Sequence, residues 1–229
     1  MRDEAERLAG ILVEARSTAT PVDGSLPPWS GLDSGLASEV GAAFARRIGA
    51  EHSPFWKLGA VDAQSQQRLG VDGPLFAPLD PDGVTSEVTT ATITLSSLIA
   101  PRFEPEIGVL AEDGRLWAMP CVEIADSRFS GWTLPPWGVV ADGTLQGRML
   151  FGARAEPLDH IRVTVVHDGT EVGRGEGSWT EAAGRLSLLP RDRTARMVAT
   201  GALTRLFACA PGEWSFDFGP LGEISVRVV

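Results

Sequence analysis

The chain has 229 residues, of which 43% are hydrophobic and 22% are charged, and it carries a formal net charge of −10 at pH 7. This composition is typical of a globular protein, and the length is sufficient for one domain with a sizeable core. The negative charge argues against a nucleic-acid-binding protein, because phosphate binding needs a basic face. No apolar run approaches the ~20 residues that a membrane-spanning helix needs, so we expect no membrane partner either.

The cysteine content bears on the compartment. Cys121 and Cys209 are the two cysteines, too few for a disulfide framework, and they indicate a reduced, cytoplasmic location. The acidic, helix-like start of the chain differs from a signal peptide, which agrees with that expectation.

The first third of the chain is predicted to be mostly helical. Apolar residues recur at helical spacing in residues 3–16, and a loop rich in proline and glycine follows in residues 20–32. Asp33 or Ser34 can cap a second helix that runs to about Ile48.

A short strand and a third helix are predicted next. The strand runs from Phe55 to Gly59, and the helix runs from Asp62 to Arg68, with Gly70 as its C-terminal stop.

Beyond residue 100 the pattern becomes mostly β. Strand-like composition is found in residues 103–110, 121–125, 147–151 and 161–167, and two further strands are predicted in residues 214–229. Asp168-Gly169 predicts a hairpin turn. We therefore expect an α+β fold with one domain over residues 1–229, divided into a helical N-terminal cap region (1–70) and a β-rich core (71–229).

Three glutamates in this β-rich part form a candidate metal site. Glu104 and Glu106 lie two residues apart on one predicted strand, so their side chains share a face. Two adjacent carboxylates repel each other, which a bound cation or a raised pKa relieves. A solvated edge strand is the competing explanation, but Glu123 lies in the middle of a second apolar strand. Three carboxylates without a nearby histidine suit a hard cation such as Mg²⁺ or Mn²⁺.

Lys57 is the single lysine of the chain, whereas the 20 Lys+Arg residues are otherwise arginine. Chance is one explanation for a lone lysine. The other is that arginine cannot replace it, as at a site that needs a compact ammonium or a neutral amine.

Several stretches together resemble one family, and the resemblance runs, with gaps, from the first helix to the C-terminus. The stretches are Trp56-Lys57-Leu58-Gly59, Gln66-Gln67-Arg68-Leu69-Gly70-Val71, Phe103-Glu104-Pro105-Glu106-Ile107, Glu123-Ile124-Ala125-Asp126-Ser127-Arg128, Ala199-Thr200-Gly201-Ala202-Leu203-Thr204, Pro211-Gly212-Glu213 and Phe218-Gly219-Pro220-Leu221-Gly222. In order and spacing they resemble the 2-keto-4-pentenoate hydratase / 4-oxalocrotonate decarboxylase branch of the fumarylacetoacetate hydrolase-like superfamily.

The resemblance implies a fold and a site. The fold is a twisted, mixed β-roll with an α-helical N-terminal portion. Glu104, Glu106 and Glu123 would hold Mg²⁺ or Mn²⁺, and Lys57 would bind the substrate carboxylate or act as an acid/base; a structural ion pair is the alternative role for Lys57. Substrate contacts are further expected from Gln66, Thr200 and Gly201 in the matching stretches, and from Asp62, which lies three residues after the first stretch. The resemblance also implies a homo-oligomer.

The chain departs from the family pattern at three places. The family's Lys-Ile-Gly-Leu-Thr-Ser ends here in Ala60, Val61 and Asp62, which removes two hydroxyl groups. The family's Ala-Asp-Asn-Ala-Ser-Ser-Gly is replaced in residues 141–147, which removes an asparagine and both serines. A family helix before Thr200 is expected to be missing or replaced.

The resemblance and its gaps define the functional expectation. It is a metal-dependent lyase, a decarboxylase or hydratase, that acts on a small 2-oxo or 2-hydroxy-enoic acid through a metal-stabilised enolate. Decarboxylation depends less than hydration on the polar groups that the chain lacks, so it is the favoured reaction. One alternative is an enzyme repurposed for a larger biosynthetic substrate, as a carbon–carbon bond hydrolase, isomerase or cyclase. Another is a non-catalytic metal-binding partner subunit.

Overall fold

A computed structural model describes residues 1–190 and 195–229. Its α-helices are α1 (Arg2–Thr18), α2 (Ser34–Arg47), α3 (Ala63–Leu69), α4 (Gly138–Ala141) and α5 (Trp179–Gly184). Its strands are β1 (Phe55–Gly59), β2 (Leu75–Pro78), β3 (Val84–Thr85), β4 (Thr90–Ile93), β5 (Arg102–Glu112), β6 (Arg115–Ala125), β7 (Arg148–Phe151), β8 (His160–His167), β9 (Thr170–Ser178), β10 (Met197–Ala202), β11 (Phe207–Ala208), β12 (Gly212–Asp217) and β13 (Glu223–Val228). None of the helices in these two ranges is long and apolar enough to cross a membrane.

Two mixed sheets form the β part of the molecule. The first has the strand order β2-β1-β10-β5-β6-β7-β3, with β11 paired to β5, and the second has the order β4-β13-β12-β8-β9. Apolar side chains of both sheets, among them Phe103, Val122, Val163 and Phe216, share one buried cluster. The other face of the first sheet carries a second cluster around Cys121 and Met149. The first sheet is therefore covered on both faces.

The predicted start of α2 and the predicted end of α3 are confirmed by their caps. The Asp33 side chain accepts a hydrogen bond from the Leu36 amide at the start of α2. Gly70 ends α3 in the left-handed conformation, at φ 67°. Glycine suits this position because it has no Cβ to clash there.

The N-terminal helices pack against a loop of the β part. Leu8 and Leu12 of α1, Val40 and Phe44 of α2, and Phe129 belong to one buried cluster. Residues 1–70 also contribute β1, which pairs in parallel with β10. The division at residue 70 stays a prediction.

The structure contains elements that the sequence pattern did not predict. The short strands β2, β3, β4 and β11 were missed, and β5 and β6 are longer than predicted, since they meet at a turn around Asp113 and Gly114. The segment that was expected to lose a family helix carries the six-residue α5 and a 3₁₀ turn at Arg185–Leu188. The rest of that segment includes residues 191–194, which lie outside the described residues.

A fully buried ion pair joins the loop after β6 to the end of α4. The guanidinium of Arg128 donates to the Asp142 carboxylate, and the Arg128 amide donates to the same carboxylate at 2.9 Å. Arg128 also lies over the Phe44 ring, at 5.3 Å from its centroid. Burial raises the pKa of Asp142 to about 6, although the charge and hydrogen bonds of Arg128 act to lower it.

Breaking this pair should destabilise the fold strongly. We expect Asp142→Asn to lower the free energy of unfolding by about 3–5 kcal/mol, because it leaves a buried guanidinium without its counter-charge. Urea unfolding of the variant and the parent measures the difference. Glu4→Gln, which opens an exposed pair with Arg7, is the control and should leave the unfolding midpoint unchanged. A loss below about 1 kcal/mol for Asp142→Asn would contradict this role of the pair.

Candidate metal centre

The β5–β6 hairpin brings the three glutamates together. Glu104 is the cross-strand partner of Glu123, and Glu106 is the partner of Cys121, two residues before Glu123. Because side chains alternate along a strand, all three carboxylates lie on the same face of the sheet. Phe103 and Ile107, which flank the pair on β5, point to the opposite face and into the core between the sheets.

The cluster offers oxygens to a cation. One carboxylate oxygen of each of Glu104, Glu106 and Glu123 lies within 4.8 Å of the others. Glu106 and Glu123 are fully buried, while Glu104 is half-buried. Glu106 Oε1 and Glu123 Oε2 are buried without a hydrogen-bond partner. An unpartnered buried carboxylate oxygen is costly, and oxygen ligands are those that Mg²⁺ and Mn²⁺ prefer. The residues therefore fit the predicted ion.

A β-bulge in β10 fixes the orientation of Glu106. The pairing between β10 and β5 shifts register between Ala199 and Ala202, and Gly201 lies in the bulge with a φ of 104°. Its amide donates to Glu106 Oε2 at 2.7 Å instead of to the strand ladder. A Cβ at Gly201 would lie 2.8 Å from a Val61 methyl, so glycine is needed here for two reasons. The other oxygen, Oε1, is left free.

Lys57 lies at the same cluster. Its ammonium donates to Glu123 Oε1, and to the carbonyl oxygen of Thr144 at 2.8 Å. Its side chain is 5% exposed, so the single lysine of the chain is a buried charge. Both buried glutamates thus follow one scheme, in which one oxygen is held by the protein and the other is free.

The Thr144 carbonyl is a functional group that sequence reasoning missed. Gly143, Thr144 and Leu145 all have positive φ values, of 55°, 58° and 65°. A left-handed backbone is unfavourable for residues with a Cβ and clusters at functional sites. The available signal was the departure from the family pattern in this segment, but side-chain chemistry does not reveal a backbone acceptor.

The buried charges shift one another's pKa. Burial raises the pKa of Glu104 to about 7, and the charge of Glu123 adds to this effect. Burial and the neighbouring carboxylates also raise the pKa of Glu106 well above its ordinary value. Burial alone would lower the pKa of Lys57, but the charges of Glu123, Glu104 and Glu106 outweigh it and raise that pKa. Three carboxylates with one ammonium are short of positive charge, which a divalent cation supplies.

The remaining predicted site residues have partners within the protein. The Asp62 carboxylate accepts from the Ser65 amide and caps α3. The Gln66 amide group donates to the Ala60 carbonyl at 2.9 Å. The Thr200 hydroxyl is buried and donates to the Ile107 carbonyl at 2.8 Å. Substrate contacts from these side chains stay predictions, and their present contacts support the local backbone.

Comparison with known proteins gives sequence relatives that are hydratases and a decarboxylase. No family model matches the chain. It is 26% identical to a 2-keto-4-pentenoate hydratase of Burkholderia vietnamiensis, over 78% of this chain and 79% of that protein. It is 29% identical to the same kind of hydratase from Paraburkholderia xenovorans, over 69% and 68% of the two chains. It is 24% identical to a 4-oxalocrotonate decarboxylase of Pseudomonas putida, over 76% of each.

Solved structures agree on the fold. A 4-oxalocrotonate decarboxylase from Pseudomonas putida G7, complexed with magnesium and adipate, superposes with a TM-score of 0.86 at 21% identity, covering 100% of this chain and 98% of that one. A fumarylpyruvate hydrolase from Pseudomonas aeruginosa, in complex with Mn²⁺ and pyruvate, gives a TM-score of 0.57 at 18% identity over 76% of this chain and 88% of the other.

The fold is therefore that of the fumarylacetoacetate hydrolase-like superfamily, as predicted. Within it, the sequence relatives are hydratases and a decarboxylase, which confirms the predicted resemblance to that branch and the prediction of an enzyme of the lyase class. The magnesium and Mn²⁺ in the structural neighbours agree with the predicted cofactor.

Metal binding should stabilise the folded protein. At a Mg²⁺ concentration of one hundred times its dissociation constant, the gain is about 2.7 kcal/mol, or roughly 5–10 °C in melting temperature for a chain of this size. In Glu106→Gln this gain should disappear, while the metal-free variant should be at least as stable as the metal-free parent, because one repelling carboxylate is gone. Differential scanning calorimetry measures both. Glu213→Gln, at an exposed glutamate, is the control; an unchanged Mg²⁺ effect in Glu106→Gln would refute the ligand assignment.

The affinity for Mg²⁺ should rise with pH. A carboxylate must lose its proton to bind the cation, and the pKa values of Glu104 (about 7) and Glu106 are raised in the metal-free protein. Below about pH 7 protons therefore compete with the metal, and above it they no longer do. Isothermal titration calorimetry at about pH 6 and about pH 8, in buffers of different ionisation enthalpy, should show tighter binding at the higher pH and proton release at the lower one. Equal affinities would mean that the glutamates are already ionised.

Proposed function

We propose that the chain is a divalent-metal-dependent lyase that acts on a small 2-oxo or 2-hydroxy-enoic acid. The observation that carries this proposal is the cluster of three carboxylates with two free buried oxygens beside a buried ammonium. The names of the relatives, 2-keto-4-pentenoate hydratase and 4-oxalocrotonate decarboxylase, support the substrate class.

The assigned residues have separate roles. Glu104, Glu106 and Glu123 would hold Mg²⁺ or Mn²⁺. When bound, such an ion would polarise the oxygens of a 2-oxo acid and so stabilise negative charge that develops beside them. The Gly201 amide holds Glu106 in the orientation that leaves its second oxygen free.

Lys57 is assigned to the substrate. An ammonium has three N–H donors, and Glu123 and Thr144 accept two of those of Lys57. The third remains for a substrate carboxylate or for a proton that moves during the reaction. Because the ammonium is buried, its hydrogen bonds act in a low dielectric, where charge-assisted bonds are strong.

Decarboxylation fits the pocket better than hydration. Hydration needs polar groups that position a water molecule, and the asparagine and serines of the family pattern are absent from residues 141–147. The hydroxyl that is present there, on Thr144, donates to the Gly143 carbonyl at 2.7 Å. Loss of a carboxylate needs only an electron sink beside it, which the proposed metal provides.

The cellular location and the oligomeric state are proposed on more general grounds. The two cysteines are free and buried, which supports a reducing, cytoplasmic location. Self-association follows from analogy with the family, and analytical ultracentrifugation of the purified protein tests it.

A turnover assay tests the activity and the role of Lys57 together. With Mg²⁺ or Mn²⁺, we expect mass spectrometry to detect loss of carbon dioxide or gain of water from a panel of 2-hydroxydienoates and 2-oxo acids, and a chelator should abolish it. Lys57→Arg should lower kcat on the order of a hundredfold or more, since a guanidinium is too large for the buried position and does not transfer protons. Arg196→Lys, at an exposed arginine, is the matched control. Full turnover in Lys57→Arg would show that Lys57 has no role in the reaction. Turnover in the presence of a chelator would refute the metal dependence.

A further inference from the structure

A cavity of about 730 Å³ is lined by Trp56 and Ala77, which are the chain neighbour and the cross-strand partner of Lys57. It is bounded by α2, by the edge strand β2 and by the segment that follows α4. Its apolar lining includes Trp56, Leu75, Phe76, Pro78, Trp137 and Val140. A volume of this size matches small-molecule sites, which are typically concave and mostly apolar.

Two lining residues connect the cavity to the candidate metal centre. Thr144 lines it, and the carbonyl oxygen of Thr144 accepts a hydrogen bond from Lys57 Nζ. Ala77 also lines it and is the cross-strand partner of Lys57 in the β1–β2 pair. One residue, Thr144, therefore lies between the Lys57 ammonium and the cavity.

The polar side chains of the lining are already engaged. Their partners lie within the chain: Ser38 donates to Ser34 O, Arg46 to Glu6, Thr144 to Gly143 O, and Gln146 to Pro78 O while its own oxygen accepts from the Asp80 amide. The charged side chains of the lining are Arg46, which is paired with Glu6, and Glu51. A second carboxylate on an occupant would therefore meet a cation that already has a counter-charge and a carboxylate of like charge. An apolar occupant has no such charge, and it would cover aromatic surface that water now contacts.

We propose that this cavity receives the apolar end of the substrate, so that the enzyme prefers a 2-oxo or 2-hydroxy acid with an alkyl or aryl group over one with a second carboxylate. This inference rests on the proposed function, because Lys57 and the metal hold the acid end. Leu75, Trp137 and Val140 form part of the apolar wall, and they are held in place because they pack against the buried cluster around Ala60.

Binding of unreactive 2-oxo acids tests the preference directly. We compare pyruvate, 2-oxooctanoate and 2-oxoadipate by isothermal titration calorimetry, each with Mg²⁺ and with a chelator. Each methylene buried in the cavity should raise affinity by roughly fourfold. 2-Oxooctanoate should therefore bind on the order of tenfold or more tighter than pyruvate, and 2-oxoadipate should gain no such advantage.

The variant Ala42→Trp tests whether the higher affinity for 2-oxooctanoate comes from the cavity. Ala42 is an exposed α2 residue of the lining, so a larger side chain there fills the cavity without disturbing the core. The ratio of the affinity for 2-oxooctanoate to the affinity for pyruvate should fall close to one in Ala42→Trp. It should stay at the parent value in Ser34→Trp, an exposed change at the start of the same helix. Phe76→Ala, which removes a half-exposed wall of the cavity, should lower the ratio by a few fold.

The outcomes separate this inference from the proposed function. Equal affinity for pyruvate and 2-oxooctanoate in the parent, or an unchanged ratio in Ala42→Trp, overturns the cavity assignment whether or not binding needs metal. A preference that Ala42→Trp removes, but that is the same with Mg²⁺ and chelator, supports the cavity and refutes the metal-dependent part of the proposed function.

Discussion

Burial of like charge is the constraint on which the centre of this protein depends. Three carboxylates with ligand atoms within 4.8 Å of one another, two of them fully buried, would repel each other strongly in a low dielectric. One ammonium, Lys57, offsets part of this charge, and one backbone amide, that of Gly201, stabilises a single oxygen. A fold that maintains such an arrangement needs rigid support, and the paired strands β5, β6 and β10 provide it.

Irregular backbone segments beside the three glutamates stabilise the buried charges with hydrogen bonds. The β10 bulge redirects the Gly201 amide from the strand ladder to Glu106. The left-handed turn at residues 143–145 directs the Thr144 carbonyl to Lys57. In both cases the backbone leaves regular geometry next to a buried charge and supplies it with a hydrogen-bond partner. The irregular backbone at this site thus serves to stabilise buried charge.

The sequence predicted the carboxylates because their signal is local. Two glutamates at a spacing of two must share a face of a strand, and an acid in the middle of an apolar strand is unusual in the absence of a partner. The helix caps at Asp33 and Gly70 were predictable for the same reason, since a cap is defined within a few residues. The short strands β2 and β4 were missed because four residues carry too little periodicity. The Thr144 carbonyl was missed because every residue has a carbonyl, and only tertiary structure decides which one faces an ammonium.

The single lysine has a practical consequence. The only ε-amine of the chain is both buried and ionised in the folded state, so an amine acylating agent has no side-chain target until the structure around residue 57 opens. The extent of acylation at that position therefore reports, one molecule at a time, how often the site is exposed to solvent. Because an α-amine also reacts, mass spectrometry of the proteolytic peptide that contains residue 57 measures this extent, which makes the chain its own probe of local opening.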